Sequence, residues 1–304
     1  SAARDALGSI ASDWGRWRES RELARERLTF GDHVDLTERV DAYGVVVWSS
    51  ALIGELDEAD RVSAEAFSEL QPGQAPNWWL HVAAWRAYSL LLRGHWDAAL
   101  ETAERARRLW LEGGRTAAGY ALRGFLAACE IARGRGDDAG IERWRAILVA
   151  IGEQFVALPG EVPWPAFANE DVDTIARWAA GQPGDRFADV LERGLSLCAD
   201  RQAPIDVDHL RRLAGNLESG ETRILHAQAL RLLGVIAADT DELRRAIALF
   251  DECAAAPYAA RARCELGIIT GEGPLFDAGA RVLESLGDQA QLDRYARWRR
   301  ERGA

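Results

Sequence analysis

GHWDAALETAERAR (94–107) decides how this chain is read, because the stretch returns in altered form three more times. GELDEADRVSAEAF begins at Gly54, GRGDDAGIERWRAI at Gly134 and GRWRESRELARERL at Gly15. The four glycines stand 39, 40 and 40 residues apart, and a fixed period of this size marks a stacked array of helical or mixed units. Five residues after each glycine comes a small residue: Ser20, Ala59, Ala99 and Ala139. Seven further on stand Ala66, Ala106 and Ala146, with Arg27 in the first copy. Two after the glycine stand Trp17, Leu56 and Trp96, with Gly136 in the fourth copy. Each element of the pattern has a physical use. Glycine accepts φ > 0 and turns the chain sharply after a helix. Small residues let two helices approach, and the large apolar residue covers the turn.

The flanking segments carry helical periodicity. Leu80, Ala83, Ala84, Ala87, Leu90 and Leu91 recur at i, i+3, i+4, i+7, i+10 and i+11. Trp96, Ala99, Leu100, Ala103, Ala106 and Trp110 follow at i, i+3, i+4, i+7, i+10 and i+14. Each set is one apolar stripe at a 3.6-residue period, where a half-buried strand would alternate. Arg107 and Arg108 suit the negative end of the second helix, and Gly113-Gly114 stop it. VALPGEVPWPAFANEDVD (156–173) holds three of the nine prolines and reads as a long connection. Helical patterns resume over 174–180 and 187–197, then 222–238 and 241–253. The expected architecture is all-α: a right-handed α-solenoid of about six to seven antiparallel helix pairs. It forms one repeat domain over 1–304, regular over 1–153 and less regular over 174–304.

Gly94, Trp96, Ala99 and Ala106, with Ala87 on the preceding helix, resemble the tetratricopeptide repeat. The usual period is about 34, so the helices or connections here are longer, and the proline that closes a unit is missing or displaced, as at Pro72. Tyr258 through Gly267, then Leu283, Leu286-Gly287-Asp288, Gln291-Leu292 and Arg294, resemble the closing helical repeats of two large bacterial signalling families. One joins a class III adenylate/guanylate cyclase domain, a signal-transduction ATPase and helical repeats. The other comprises LuxR/MalT-type regulators. The resemblance covers about half of the chain in patches. It implies a sensor or scaffold segment and gives this chain neither cyclase nor ATPase activity.

Composition narrows the function classes. All 37 basic residues are Arg, Lys and Met are absent, and the net charge is −11. The missing Met is expected of an excised or processed piece. An acidic surface repels a phosphate backbone, so nucleic acid is not an expected partner for most of the chain. No apolar run reaches the length of a membrane span, and the start carries no signal-peptide pattern. Cys129, Cys198, Cys253 and Cys264 lack CxxC spacing and read as buried thiols of a cytoplasmic protein.

Motifs of catalysis are missing too. A P-loop needs a Lys, and so does a Schiff base. His33, His81, His95, His209 and His226 show no metal-ligand spacing, and neither HExxH nor GxSxG occurs. GRGDDAG (134–140) reads as one more inter-helix turn. Asp57-Glu58, Asp137-Asp138 and Asp241-Glu242 read as helix starts, where carboxylates favour the dipole. No catalytic, cofactor-binding or metal-binding residue is therefore expected, and the chain reads as a non-enzyme that needs no cofactor.

The candidate site is a groove. Trp48 and Tyr88 fall at one repeat position on successive first helices, and Asp41 and His81 share another, one or two turns earlier. In a tetratricopeptide array these positions face the concave side. Asp41, Trp48, His81 and Tyr88 would then grip a protein or peptide through aromatic anchors. Alternatively, longer helices turn this face into the core. Arg294, Arg297, Arg299, Arg300 and Arg302, with Tyr295 and Trp298, read as a solvated last helix rather than a nucleic-acid patch. The expected function is a protein-interaction or ligand-sensing module of a multidomain bacterial regulator, its partner a peptide, a protein or neighbouring domains of its parent. A free-standing peptide-binding adaptor and a helical enzyme without a known motif are the rival readings.

Overall fold

The computed structural model describes residues 1–69, 76–115, 119, 121–152, 162–182, 188–203 and 205–302. Among them the secondary structure is helical without strands. The elements are α1 (Ala2–Asp13), α2 (Trp17–Leu28), a single 3-10 turn (Gly31–His33), α3 (Leu36–Leu52), α4 (Leu56–Glu69), α5 (Pro76–Arg93), α6 (Trp96–Glu112), α7 (Ala121–Arg135) and α8 (Asp138–Gly152). Then come α9 (Trp164–Asn169), α10 (Val172–Ala180), α11 (Ala188–Arg201), α12 (Val207–Glu218), α13 (Arg223–Ala237), α14 (Thr240–Glu252), α15 (Ala256–Thr270), α16 (Gly273–Leu286) and α17 (Gln289–Arg302). Neighbours in sequence pack as pairs, α1 with α2, α5 with α6, α7 with α8, α13 with α14 and α15 with α16.

The turn glycines do what the repeat requires. Gly15, Gly54 and Gly94 hold φ of 71°, 83° and 84°, a region that side chains with a Cβ seldom enter. In the fourth copy the left-handed residue is Gly136, not Gly134. Helix α7 runs two residues further than the repeat suggests, and Gly134 lies inside it against Trp96. The corrected register is more regular, because α2, α4, α6 and α8 all begin two residues after the left-handed glycine. The fourth copy's contact positions shift with it: Ala139 and Ala146 are exposed, while Gly140, Ile147 and Leu148 are buried.

Helices of the two kinds differ in how they are covered. The second helices α4, α6, α12 and α14 bury one stripe, as their periodicity dictates. The first helices α7, α11, α13 and α15 are buried on nearly every side. Their cover comes from the other half of the chain: α13 lies against α3, α15 against α5 and α17 against α7. The inter-helix turns meet in the same order. Gly54 sits beside Cys253 and Arg223, Gly94 beside Pro257 and Leu286, and Gly134 beside Asp288.

Part of the expected connection is helical. Residues 164–169 form α9, with Pro165 in its first turn, where a missing N–H costs nothing, and Asp171 caps α10 through the Thr174 N–H at 3.1 Å. Residues 156–161, Pro72 and Phe187 lie outside the described residues. The acidic helix starts are as expected: Asp57 and Glu58 open α4, Asp137 accepts the Gly140 N–H at 2.9 Å, and Asp241 and Glu242 open α14.

Ala99 is fully buried among Leu90, Leu91, Ala127 and Ile131, where α6 meets α5 and α7. Ala99→Trp should overpack this contact and cost roughly 1–3 kcal/mol or more. Thermal unfolding checks this, and an unchanged midpoint would contradict the packing.

Candidate functional site

Of the four residues singled out from the sequence, Asp41 and His81 approach each other, and Trp48 and Tyr88 both pack against Trp85. Arg27, which stands where other copies have Ala, reaches from α2 to Asp41 on α3 at 2.8 Å and to Asp5 on α1 at 2.7 Å. Burial raises the Asp41 carboxyl, and Arg27 opposes the rise. His81 on α5 is buried, with Nδ1 4.0 Å from Asp41. Burial, and then the charge of Arg123, hold the imidazole down at about 3. Trp48 is half-buried, stacked on Trp85 at 4.8 Å and edge-on to Trp17 at 5.0 Å. Tyr88 is only 2% exposed, and its hydroxyl donates to Glu192 on α11 at 3.1 Å. Tyr88 is therefore an interior residue and not an anchor open to a partner. The reason is the second half of the chain, which covers the face that the repeat register shares.

That covered face holds a network of buried charges. Most of its members lie on helices buried on nearly every side, where an ion must be paired to be tolerated. Gln228 on α13 donates to Glu192 at 3.0 Å. Arg231 donates to Glu265 on α15 at 2.8 and 2.6 Å and to Asp200 on α11 at 2.5 Å. Arg261 donates to Asp200 at 3.2 Å and to Asp288, ahead of α17, at 2.9 Å. Arg193 pairs with Glu192 and donates to Glu130 on α7 at 2.7 Å and to the Tyr258 hydroxyl. Tyr295 on α17 donates to Glu265 at 2.9 Å. Burial works against ionisation throughout. It is outweighed at Asp200, which Arg261, Arg231 and Arg294 hold at about 2. At Glu192 and Asp288 burial prevails and the carboxyls are raised, despite Arg193 and Arg261.

A cavity of about 110 Å³ opens beside this network, between α7, α11, α15 and α17. Glu130, Ser196, Asp200, Arg261, Asp288 and Arg294 form part of its wall. Arg133, Glu170, Arg201 and Arg297 line it further, and Arg201 and Arg297 are exposed. Ser196 is 2% exposed, and its hydroxyl has no hydrogen-bond partner among the described residues. The same holds for Nε of the buried Arg261. A buried polar atom without a partner is costly, of the order of 1–3 kcal/mol, so three of them in one cavity wall, Oδ1 of Asp288 being the third, mark a place where something else makes the bond. Arg133 and Arg201 share one carboxylate, Glu170, at 2.8 and 2.5 Å. Arg297 has no ion-pair partner among the described residues.

The cavity was not legible as a site because each of its residues has an ordinary role within its own segment. Arg294 and Arg297 belong to the basic end of the chain that reads as a solvated helix; in the structure Tyr295 is buried, and Arg294 turns inward to Asp200 at 3.5 Å and the Ala199 carbonyl at 3.1 Å. One signal was available. Glu192-Arg193, Arg231, and Arg261 with Glu265 place charges at the middle of helices that carry long apolar stretches, and such charges must meet partners.

The four thiols are buried and free, and burial raises them to about 11 for Cys129 and Cys253 and about 12 for Cys198 and Cys264. A thiol held there stays protonated at neutral pH and is a poor nucleophile. Among the described residues no group of three His, Cys, Asp or Glu is placed to hold a metal ion, and no helix is long and apolar enough to cross a membrane. No family model matches the chain, and no match was found among curated proteins.

Proposed function

We propose that this chain is a non-catalytic, ligand-sensing repeat module whose ligand occupies the cavity between α7, α11, α15 and α17. The observation that carries this reading is the Ser196 hydroxyl, buried and without a partner in the wall of an open cavity. Among the described residues no His, Cys or Lys lines the cavity. Arginine and carboxylate, held by one another, bind and orient a polar guest. The mechanism follows from where the walls originate. Helices α7 and α11 come from the middle of the chain, α15 and α17 from its end. A ligand bonded to both sets favours the arrangement in which they are close, and its binding energy becomes a bias on their relative placement. In a right-handed, tetratricopeptide-like solenoid such a bias moves the ends of the array. Domains of a cyclase–ATPase or LuxR/MalT-type parent would read that movement, as the resemblance of the closing repeats suggests.

Ser196→Trp tests the reading, because the indole fills the cavity. Small polar compounds should be screened by thermal shift against the chain and the variant. Those that raise the midpoint of the chain should leave the variant unmoved, while its helical circular dichroism is retained. Compounds that stabilise both equally would place binding elsewhere and remove the cavity as the site.

A further inference from the structure

The charge of the cavity points to the chemistry of its guest. Six arginines and four carboxylates line it. Counting Glu192, and Arg231 with Glu265, behind the wall still leaves arginine in excess by one. This surplus sits in a chain whose net charge is −11. Its location is specific. Asp200 already serves Arg231 and Arg261, so Arg294 shares a carboxylate with two other cations. Arg133 and Arg201 divide Glu170 between them. Arg297 stands exposed with no carboxylate of its own among the described residues. Guanidinium groups with donors to spare match the planar oxygens of a carboxylate or the oxygens of a phosphate. Deeper in, the Ser196 hydroxyl and Arg261 Nε wait for a polar group. The size is limiting, since about 110 Å³ has room for roughly three to four waters at about 30 Å³ each, which fits the polar end of a small molecule and not a folded partner.

We propose that the cavity binds a small organic anion, its carboxylate or phosphate held by Arg294, Arg297 and Arg201 and its polar remainder bonded to Ser196. The proposal rests on the cavity being the ligand site.

Succinate, inorganic phosphate and glycerol 3-phosphate serve as anionic probes, with succinamide and glycerol as their uncharged counterparts. Each is titrated calorimetrically into the chain at neutral pH, with sodium chloride holding the ionic strength constant. At least one anion should bind with one-to-one stoichiometry, and its uncharged counterpart should not. Succinate binding selects the carboxylate; phosphate or glycerol 3-phosphate binding selects the phosphate. Arg297 is exposed and unpaired, so Arg297→Glu should fold normally and weaken that anion at least about tenfold, the loss expected for one charge-assisted hydrogen bond. Absence of binding by all three anions overturns the proposal, as does anion binding that Arg297→Glu and Arg201→Glu together leave unchanged. Succinamide or glycerol binding that Ser196→Trp abolishes would overturn the anionic class while leaving the cavity as the ligand site. Binding of either that survives Ser196→Trp would remove both.

Discussion

Arg231→Met should destabilise the protein by about 3–5 kcal/mol, the loss expected when one partner of a buried ion pair is removed and the other is left charged in the interior. Arg231 is 0% exposed and holds both oxygens of Glu265, itself fully buried. Asp200 loses less, because Arg261 and Arg294 remain beside it. The deficit therefore falls on Glu265, which keeps only the Tyr295 hydroxyl at 2.9 Å and Arg294 at 3.8 Å. Adding Glu265→Gln to Arg231→Met should recover part of the loss, since the amide removes the stranded charge. Urea unfolding of the two variants checks both statements. A single variant within about 1 kcal/mol of the parent would contradict a dry, paired network.

A second large effect concerns pH. His81 is held at about 3 in the folded protein against an ordinary 6.5. The unfolded chain takes up a proton at His81 as pH falls below 6.5, and the folded protein resists it until about 3. The stability that a neutral His81 contributes is fully present above pH 6.5 and is lost as pH falls through this window, at about 1.4 kcal/mol per pH unit. Between pH 6.5 and 5 the loss should reach roughly 2 kcal/mol. His226, also lowered by burial, acts in the same direction. Asp41, which faces His81 and is raised by burial, acts in the opposite direction over a window nearer its ordinary 3.8. His81→Gln should flatten the dependence of unfolding free energy on pH between 6.5 and 5, and the slope is the readout. An unchanged slope would mean that the imidazole is protonated in the folded protein.

Which parts of this fold were legible follows from what turns each helix pair. In the first half Gly15, Gly54, Gly94 and Gly136 take the left-handed conformation, and glycine is visible in a sequence. In the second half the same role falls to Gln202 (φ 51°) and Ala238 (φ 52°), and returns to a glycine only at Gly271 (φ 76°). Helices α14 and α16 still begin two residues after Ala238 and Gly271. Nothing in an Ala announces φ > 0, so the α13–α14 pair keeps the pattern without showing it. Tyr88 of the candidate groove lies in the interior for a different reason. Periodicity states that Trp48 and Tyr88 share a face. What covers that face is a long-range contact between halves, such as α5 with α15, and no local pattern encodes it. The charged residues of α11, α13 and α15 carried that information, because ions on helices buried all round imply partners from elsewhere in the chain.

A crystal structure of the chain soaked in the anion selected by calorimetry tests directly whether the cavity is a binding site. The expected result is difference density between α7, α11, α15 and α17, with oxygens within hydrogen-bond distance of Arg294 or Arg297 and a polar atom on the Ser196 hydroxyl. Density elsewhere on the molecule, with the cavity unchanged at a concentration that saturates the calorimetric signal, would contradict it.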